Sequence, residues 1–154
     1  MELRDFLTSS GAAALALAST SGLTSAHAQN AAGWNKTAFD SKSLSDAAKA
    51  MGATSAPVES KELVLQAPEI AENGSVVRVG AQSSLPNTTQ ISFVVEKNPS
   101  ALAALFDIPA GTDANVSTNI KMGQSSNVYA VAKAGDKFFY AVKEVKVTLG
   151  GCGG

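Results

Sequence analysis

The sequence predicts an all-β fold: an antiparallel sandwich of about seven strands preceded by one short helix. Three observations carry this. From Lys61 onward apolar residues recur at every second position, the period of a half-buried strand. The turn signals Asn73-Gly74 and Ala134-Gly135-Asp136 separate the alternating runs. Between the runs no segment carries helical periodicity, so the crossover helices that parallel βαβ units require are missing. At 154 residues, 45% hydrophobic and 16% charged, the chain is long enough for one core and short for two.

The N-terminal segment reads as an export signal. Residues 1–6 carry Arg4, and residues 7–18 form an uncharged, alanine-rich stretch shorter than the ~20 residues that span a bilayer. Ala26-His27-Ala28 is an A-x-A cleavage pattern, so residues 1–28 are expected to be removed and the mature chain to start at Gln29 in the periplasm. Leu3-Arg4-Asp5-Phe6-Leu7 resembles a degenerate twin-arginine signal with leucine in place of the first arginine. No cysteine near the cleavage site offers a lipid anchor, and no later run is long and apolar enough to span a membrane. Cleavage removes one of 12 basic and two of 13 acidic side chains and leaves a formally neutral domain. A neutral domain has no electrostatic hold on nucleic acid.

The elements follow in order. Ser43, with Asp46 three residues on, then Ala47, Ala48, Met51 and the stop at Gly52, predicts a helix over 44–51 whose face includes Leu44 and Phe39. That face is too small to stand alone and must pack on something larger. Strands follow from Leu63, Leu65 and Ala67; from Val77, Val79 and Ala81; from Ile91, Phe93 and Val95; and from Val116, Thr118, Ile120 and Met122. Residues 128–131 and 137–149 add two more, with 102–108 a weaker candidate. In the last run apolar side chains fall on both parities until Lys143-Glu144, which predicts a bulge or a change of sheet near Lys143.

Chemistry must come from what remains once His27 has left with the signal. The mature chain then has no histidine and a single cysteine, Cys152, which excludes a Ser-His-Asp triad, a Cys-His pair, an internal disulfide and an imidazole-ligated metal. No catalytic residue, cofactor or metal is expected in this chain. Glu69 and Glu72 are close enough in sequence for acid and base work, but they flank a turn and read as solvated. The Asn-x-Ser/Thr patterns at Asn35, Asn73, Asn87 and Asn115 read as chance in a bacterial-type exported chain. Trp34 reads as helix packing.

The ending Gly150-Gly151-Cys152-Gly153-Gly154 is different in kind. Four flanking glycines supply no side chains to bury a thiol and maximal backbone freedom to display it. Two residues after the cysteine are one too few for a Cys-a-a-X prenylation signal. Five extended residues reach roughly 16–18 Å, enough for a narrow pocket elsewhere. The nearest basic side chain in sequence is Lys146, so nothing local activates the thiol, and activation must come from a fold neighbour or a partner. That division of labour is a carrier's: cargo is bonded here while others do the chemistry. Two alternatives stand beside it. A redox sensor would pass through sulfenic acid to a partner thiol, and a structural β domain would use Cys152 for a disulfide-linked dimer.

Val145-Lys146-Val147-Thr148-Leu149 followed by GGCGG resembles the SoxY family, the carrier subunit of bacterial thiosulfate oxidation. The resemblance extends to Ala67-Pro68-Glu69-Ile70-Ala71-Glu72-Asn73-Gly74, Val94-Val95-Glu96-Lys97-Asn98-Pro99, Ile120-Lys121-Met122 and the helix from Ser43 to Met51. It implies an immunoglobulin-like sandwich over 29–149 and a flexible arm over 150–154. By position, Cys152 is the covalent attachment site, and Gly150, Gly151, Gly153 and Gly154 are the arm. The implied partners are a SoxZ-like subunit, forming a heterodimer, and three enzymes that hold the metals and haems. A haem SoxAX-like enzyme joins thiosulfate to the cysteine, and a manganese SoxB-like hydrolase releases sulfate and leaves a persulfide. A molybdenum and haem SoxCD-like dehydrogenase oxidises that sulfur.

Overall fold

The structure, a computed structural model, describes residues 35–148. The expected signal peptide, Trp34 and the 150–154 tail lie outside those residues. Two helices open the described chain, α1 (Lys36–Phe39) and α2 (Leu44–Ala50). The Ser43 hydroxyl accepts the Asp46 N–H at 3.1 Å, and Gly52 leaves the helix at φ +100°, as the capping pattern requires. The single turn of α1 is too short to show periodicity in sequence. Asn35 caps it through Ala38 N–H and ties it to α2 by donating to the Ala50 carbonyl at 2.6 Å.

Nine strands follow: β1 (Val58–Glu59), β2 (Leu63–Gln66), β3 (Ile70–Ala71), β4 (Val77–Ser83), β5 (Thr88–Val95), β6 (Leu102–Asp107), β7 (Asn115–Ile120), β8 (Ser126–Ala134) and β9 (Lys137–Val147). The excess over seven is the pair β1 and β3, two residues each. One sheet runs β1-β9-β8-β5-β6 with β3 also on β9, and the other runs β2-β4-β7. The main ladders are antiparallel, and the chain forms a two-sheet sandwich of the immunoglobulin-like kind. Among the described residues only the two short pairs β1–β9 and β3–β9 are parallel.

The expected faces are the buried ones. Leu63, Val77, Val79 and Ala81 from the smaller sheet pack against Ile91, Phe93, Val95, Val128, Ala130 and Val145 from the larger. Phe93 is fully buried and meets Phe106 edge-on at 6.4 Å, and each such side chain contributes about 1.5–3 kcal/mol. A second cluster lies on the outer face of the larger sheet, where Ala38, Ala47 and Met51 of the helical segment cover Val94, Leu102, Val131 and Phe138. The helices thus find their larger surface.

That second cluster corrects the reading of β9. Its first half is apolar on both parities because both faces are covered: Phe139 and Ala141 pack against the sandwich core, Phe138 and Tyr140 against the helical cluster. No bulge occurs at Lys143, since the β8–β9 ladder runs unbroken from Ala134–Lys137 to Ser126–Val145. Irregularities lie instead on β5: against β6 at Phe93/Val94, where Ala103 and Ala104 both turn to the core, and against β8 between Thr88 and Gln90. What changes near Lys143 is the other neighbour of β9. It is β1 at Phe139–Tyr140 and β3 at Lys146–Val147, with the chain crossing to the smaller sheet as β2 in between.

Both turn signals mark turns, of different kinds. Gly135-Asp136 closes the β8–β9 hairpin with Gly135 at φ +60° in the first central position. Asn73-Gly74 joins strands of different sheets, with the Asn73 side chain accepting Ser75 N–H at 2.9 Å. Its glycine answers to space: a Cβ there would lie 2.4 Å from the Met122 carbonyl oxygen.

Candidate functional site at the root of the C-terminal tail

β9 carries the chain toward Cys152, and its last residues are held from every side. Val145 is fully buried in the core. On one edge, Lys146 N–H donates to the Glu69 carbonyl at 2.9 Å and Thr148 N–H to that of Ala71 at 3.1 Å. On the other edge, the Ser125 hydroxyl accepts Val147 N–H at 2.8 Å and donates back to the Val147 carbonyl at 3.4 Å. Against Val147 sits Gly74, where a Cβ would come within 3.0 Å of Val147 Cγ1.

The loop that supplies Ser125 is itself fastened. Met122 N–H donates to the Gly74 carbonyl at 2.7 Å. The Asn98 side chain grips the loop twice, donating to the Lys121 carbonyl at 2.7 Å and accepting Gly123 N–H at 3.2 Å. Lys97 N–H adds a bond to the Ser126 hydroxyl at 3.0 Å. Four segments distant in sequence, around residues 67–74, 94–99, 120–122 and 145–148, therefore meet at one end of the sandwich. They are the strand and loop segments on which the family resemblance rests.

Cys152 and its four glycines lie beyond the described residues. Cys152 stands four positions after Thr148, within roughly 13–14 Å of it when extended. Glu69 and Glu72 are both exposed, and Glu69 serves the root through its backbone carbonyl. Among the described residues no three His, Cys, Asp or Glu side chains gather as a metal site, and no helix is long and apolar enough to cross a membrane. Tyr129, edge-on to Tyr140 at 5.7 Å on the outer face, has its phenol pKa raised by burial and then by the nearby Glu96 carboxylate. A cleft of about 440 Å³ opens where β4 ends and β5 begins, lined among others by Ser83, Thr88 and Asp113, but Ser83 and Thr88 bond each other at 2.8 Å.

The arrangement is an anchor for a tail, with its polar groups spent on holding backbone. A protein-family model, sulfur oxidation protein SoxY, matches residues 47–152, a span that ends on the tail cysteine. The chain belongs to the SoxY family. A solved SoxY, described as the sulfur carrier protein from Chlorobium limicola f thiosulfatophilum, is 40% identical, with a TM-score of 0.59 over 68% of this chain and 96% of that one. A lytic polysaccharide monooxygenase from Jonesia denitrificans aligns at 18% identity and TM-score 0.36, over 48% of this chain and 54% of that one, a likeness that carries no argument. No curated protein matches the chain. Sequence reasoning about this SoxY chain missed Ser125 and Asn98, which sit in polar stretches without periodicity. Asn98 and Gly74 do fall within the family-like segments, the one signal that pointed to them.

Proposed function

We propose that this SoxY-family chain is a non-catalytic carrier that holds sulfur intermediates of thiosulfate oxidation on Cys152 in the periplasm. Gly150, Gly151, Gly153 and Gly154 form the arm that brings the cargo to partner enzymes. The observation that carries the reading is the family match running through to residue 152, on a domain whose final strand is braced where the tail departs. Loading joins the Cys152 sulfur to the outer sulfur of thiosulfate, releasing one proton to solvent and two electrons, passed one at a time, to a haem-containing partner. Hydrolysis of the resulting S-thiosulfonate consumes water, releases sulfate and a proton, and leaves a persulfide. The manganese of a second partner would assist that step; a molybdenum and haem dehydrogenase would then take electrons from the remaining sulfane sulfur, with water supplying the oxygens of an S-sulfonate whose hydrolysis releases sulfate and restores the thiol. A SoxZ-like subunit completes the carrier.

The test is intact mass. Protein purified without reductant from thiosulfate-grown cells should carry sulfur or thiosulfate increments on the C-terminal peptide, removable by reductant. Cys152→Ser should lose both the increments and thiosulfate oxidation while keeping its fold and its partner subunit. A free thiol, or only a cross-linked dimer, while thiosulfate is being consumed would favour the redox or structural reading instead.

A further inference from the structure

We infer that Ser125 is a positioning residue that sets where the carrier arm begins. The inference rests on the carrier reading for its purpose, but its geometry stands alone. The β8–β9 ladder stops at Ser126–Val145. The next β9 residue whose N–H and C=O face that side is Val147, and no strand continues to meet it. The Ser125 hydroxyl takes both groups, at 2.8 and 3.4 Å, and so stands in for one residue of missing strand. Asn98 holds the loop that carries Ser125 by bonding Lys121 and Gly123, and Lys97 N–H holds the Ser126 hydroxyl beside it. On the far edge only β3, two residues long, accompanies Lys146 and Val147.

Removal of the hydroxyl leaves the two Val147 groups to water, with that short pair and the partly buried Val147 side chain as the remaining brace. The root then retreats to Val145, which core burial holds. The free length to Cys152 grows from four residues to seven, and the reach from roughly 13–14 Å to roughly 23–25 Å. A longer tether is a poorer one, because effective concentration falls with tether length and each added residue must be ordered when the arm enters an enzyme. The clamp thus trades reach for delivery, and partners meet a thiol on a tether of defined length.

The test uses the full mature chain with its single native cysteine. Nitroxide labels on Cys152 and on an introduced Val64→Cys, an exposed position on the smaller sheet, report the arm's distance distribution by double electron–electron resonance. Ser125→Ala and Ser125→Val should broaden it and extend its long edge by about 10 Å. Ser125→Thr, which keeps the hydroxyl and matches Val in shape, should restore it. A wild-type distribution in Ser125→Ala, or an equally broad one in Ser125→Thr, overturns the clamp. With the partner haem enzyme that couples thiosulfate, unlabelled Ser125→Ala carrier should show about a fivefold higher KM, the worth of one net hydrogen bond, at unchanged kcat. A lowered kcat at unchanged KM would overturn the positioning role. If wild-type carrier accepts no sulfur at all, the proposed function falls while the label distances still decide the clamp.

Discussion

A single methyl group at Gly74 should loosen the end of the domain from which the tail departs. The added Cβ of Gly74→Ala would lie 2.4 Å from the Met122 carbonyl oxygen, about 1 Å inside van der Waals contact, and 3.0 Å from Val147 Cγ1. The first neighbour is backbone, so relief requires the turn at Gly74 to move away from the loop bearing Met122. That movement strains the 2.7 Å bond from Met122 N–H to the Gly74 carbonyl. Overpacking costs about 1–3 kcal/mol and a weakened hydrogen bond about 1, offset by about 0.4–1 from the stiffer unfolded chain. A net loss of about 2 kcal/mol should lower Tm by about 10 °C. Differential scanning calorimetry against Gly123→Ala makes the comparison internal, because a Cβ at Gly123 meets nothing within 4 Å. Gly74→Ala melting within about 2 °C of wild type, or Gly123→Ala falling as far as Gly74→Ala, would refute the reasoning.

Other outcomes follow from single groups. Burial, then Glu96, raises the Tyr129 phenol above its ordinary 10.0, so the folded chain keeps this proton at a pH where the unfolded chain releases it. Its contribution is whole below pH 10.0 and is lost as pH rises from there through the folded value. Tyr129→Phe should therefore lose less stability above pH 10.0 than wild type, each measured against its own neutral value; parallel denaturation curves would refute this. Ser43→Ala removes the cap on Asp46 N–H and should cost about 1 kcal/mol by urea denaturation, with Ser43→Asp close to wild type.

The parts of this fold that were legible in sequence are those that one face dictates. Val77, Val79 and Ala81, or Val116, Thr118 and Ile120, alternate because one side meets the core and the other does not. Legibility failed where both faces are covered. β9 has no clean period through Phe138, Phe139 and Tyr140 because helices lie on one side and the second sheet on the other, and the expectation of a bulge mistook that for a change of path. The two-residue strands β1 and β3 are too short for any period, and their parallel partner lies far along the chain. At the tail, Cys152 stands out as a candidate from the sequence alone, since four glycines around one thiol leave few structural uses. Its anchor was not, because Ser125 and Asn98 act through backbone groups and nothing in their neighbours announces the acceptor.

The position of β9 has a mechanical consequence for any load that reaches the chain beyond its end. β9 is an inner strand, paired with β8 along the nine residues of β8 on one side and with β1 and β3 on the other. A pull on the tail along the strand axis loads these hydrogen bonds broadside and together, as shear, and never peels them one at a time from an open edge. The two-sided buried stretch around Phe138 and Phe139 lies at the far end of that strand and would have to be dragged through the core before the sheet parts. Force applied at the end of β9 is therefore spread over the whole sandwich and does not draw the domain open from one edge.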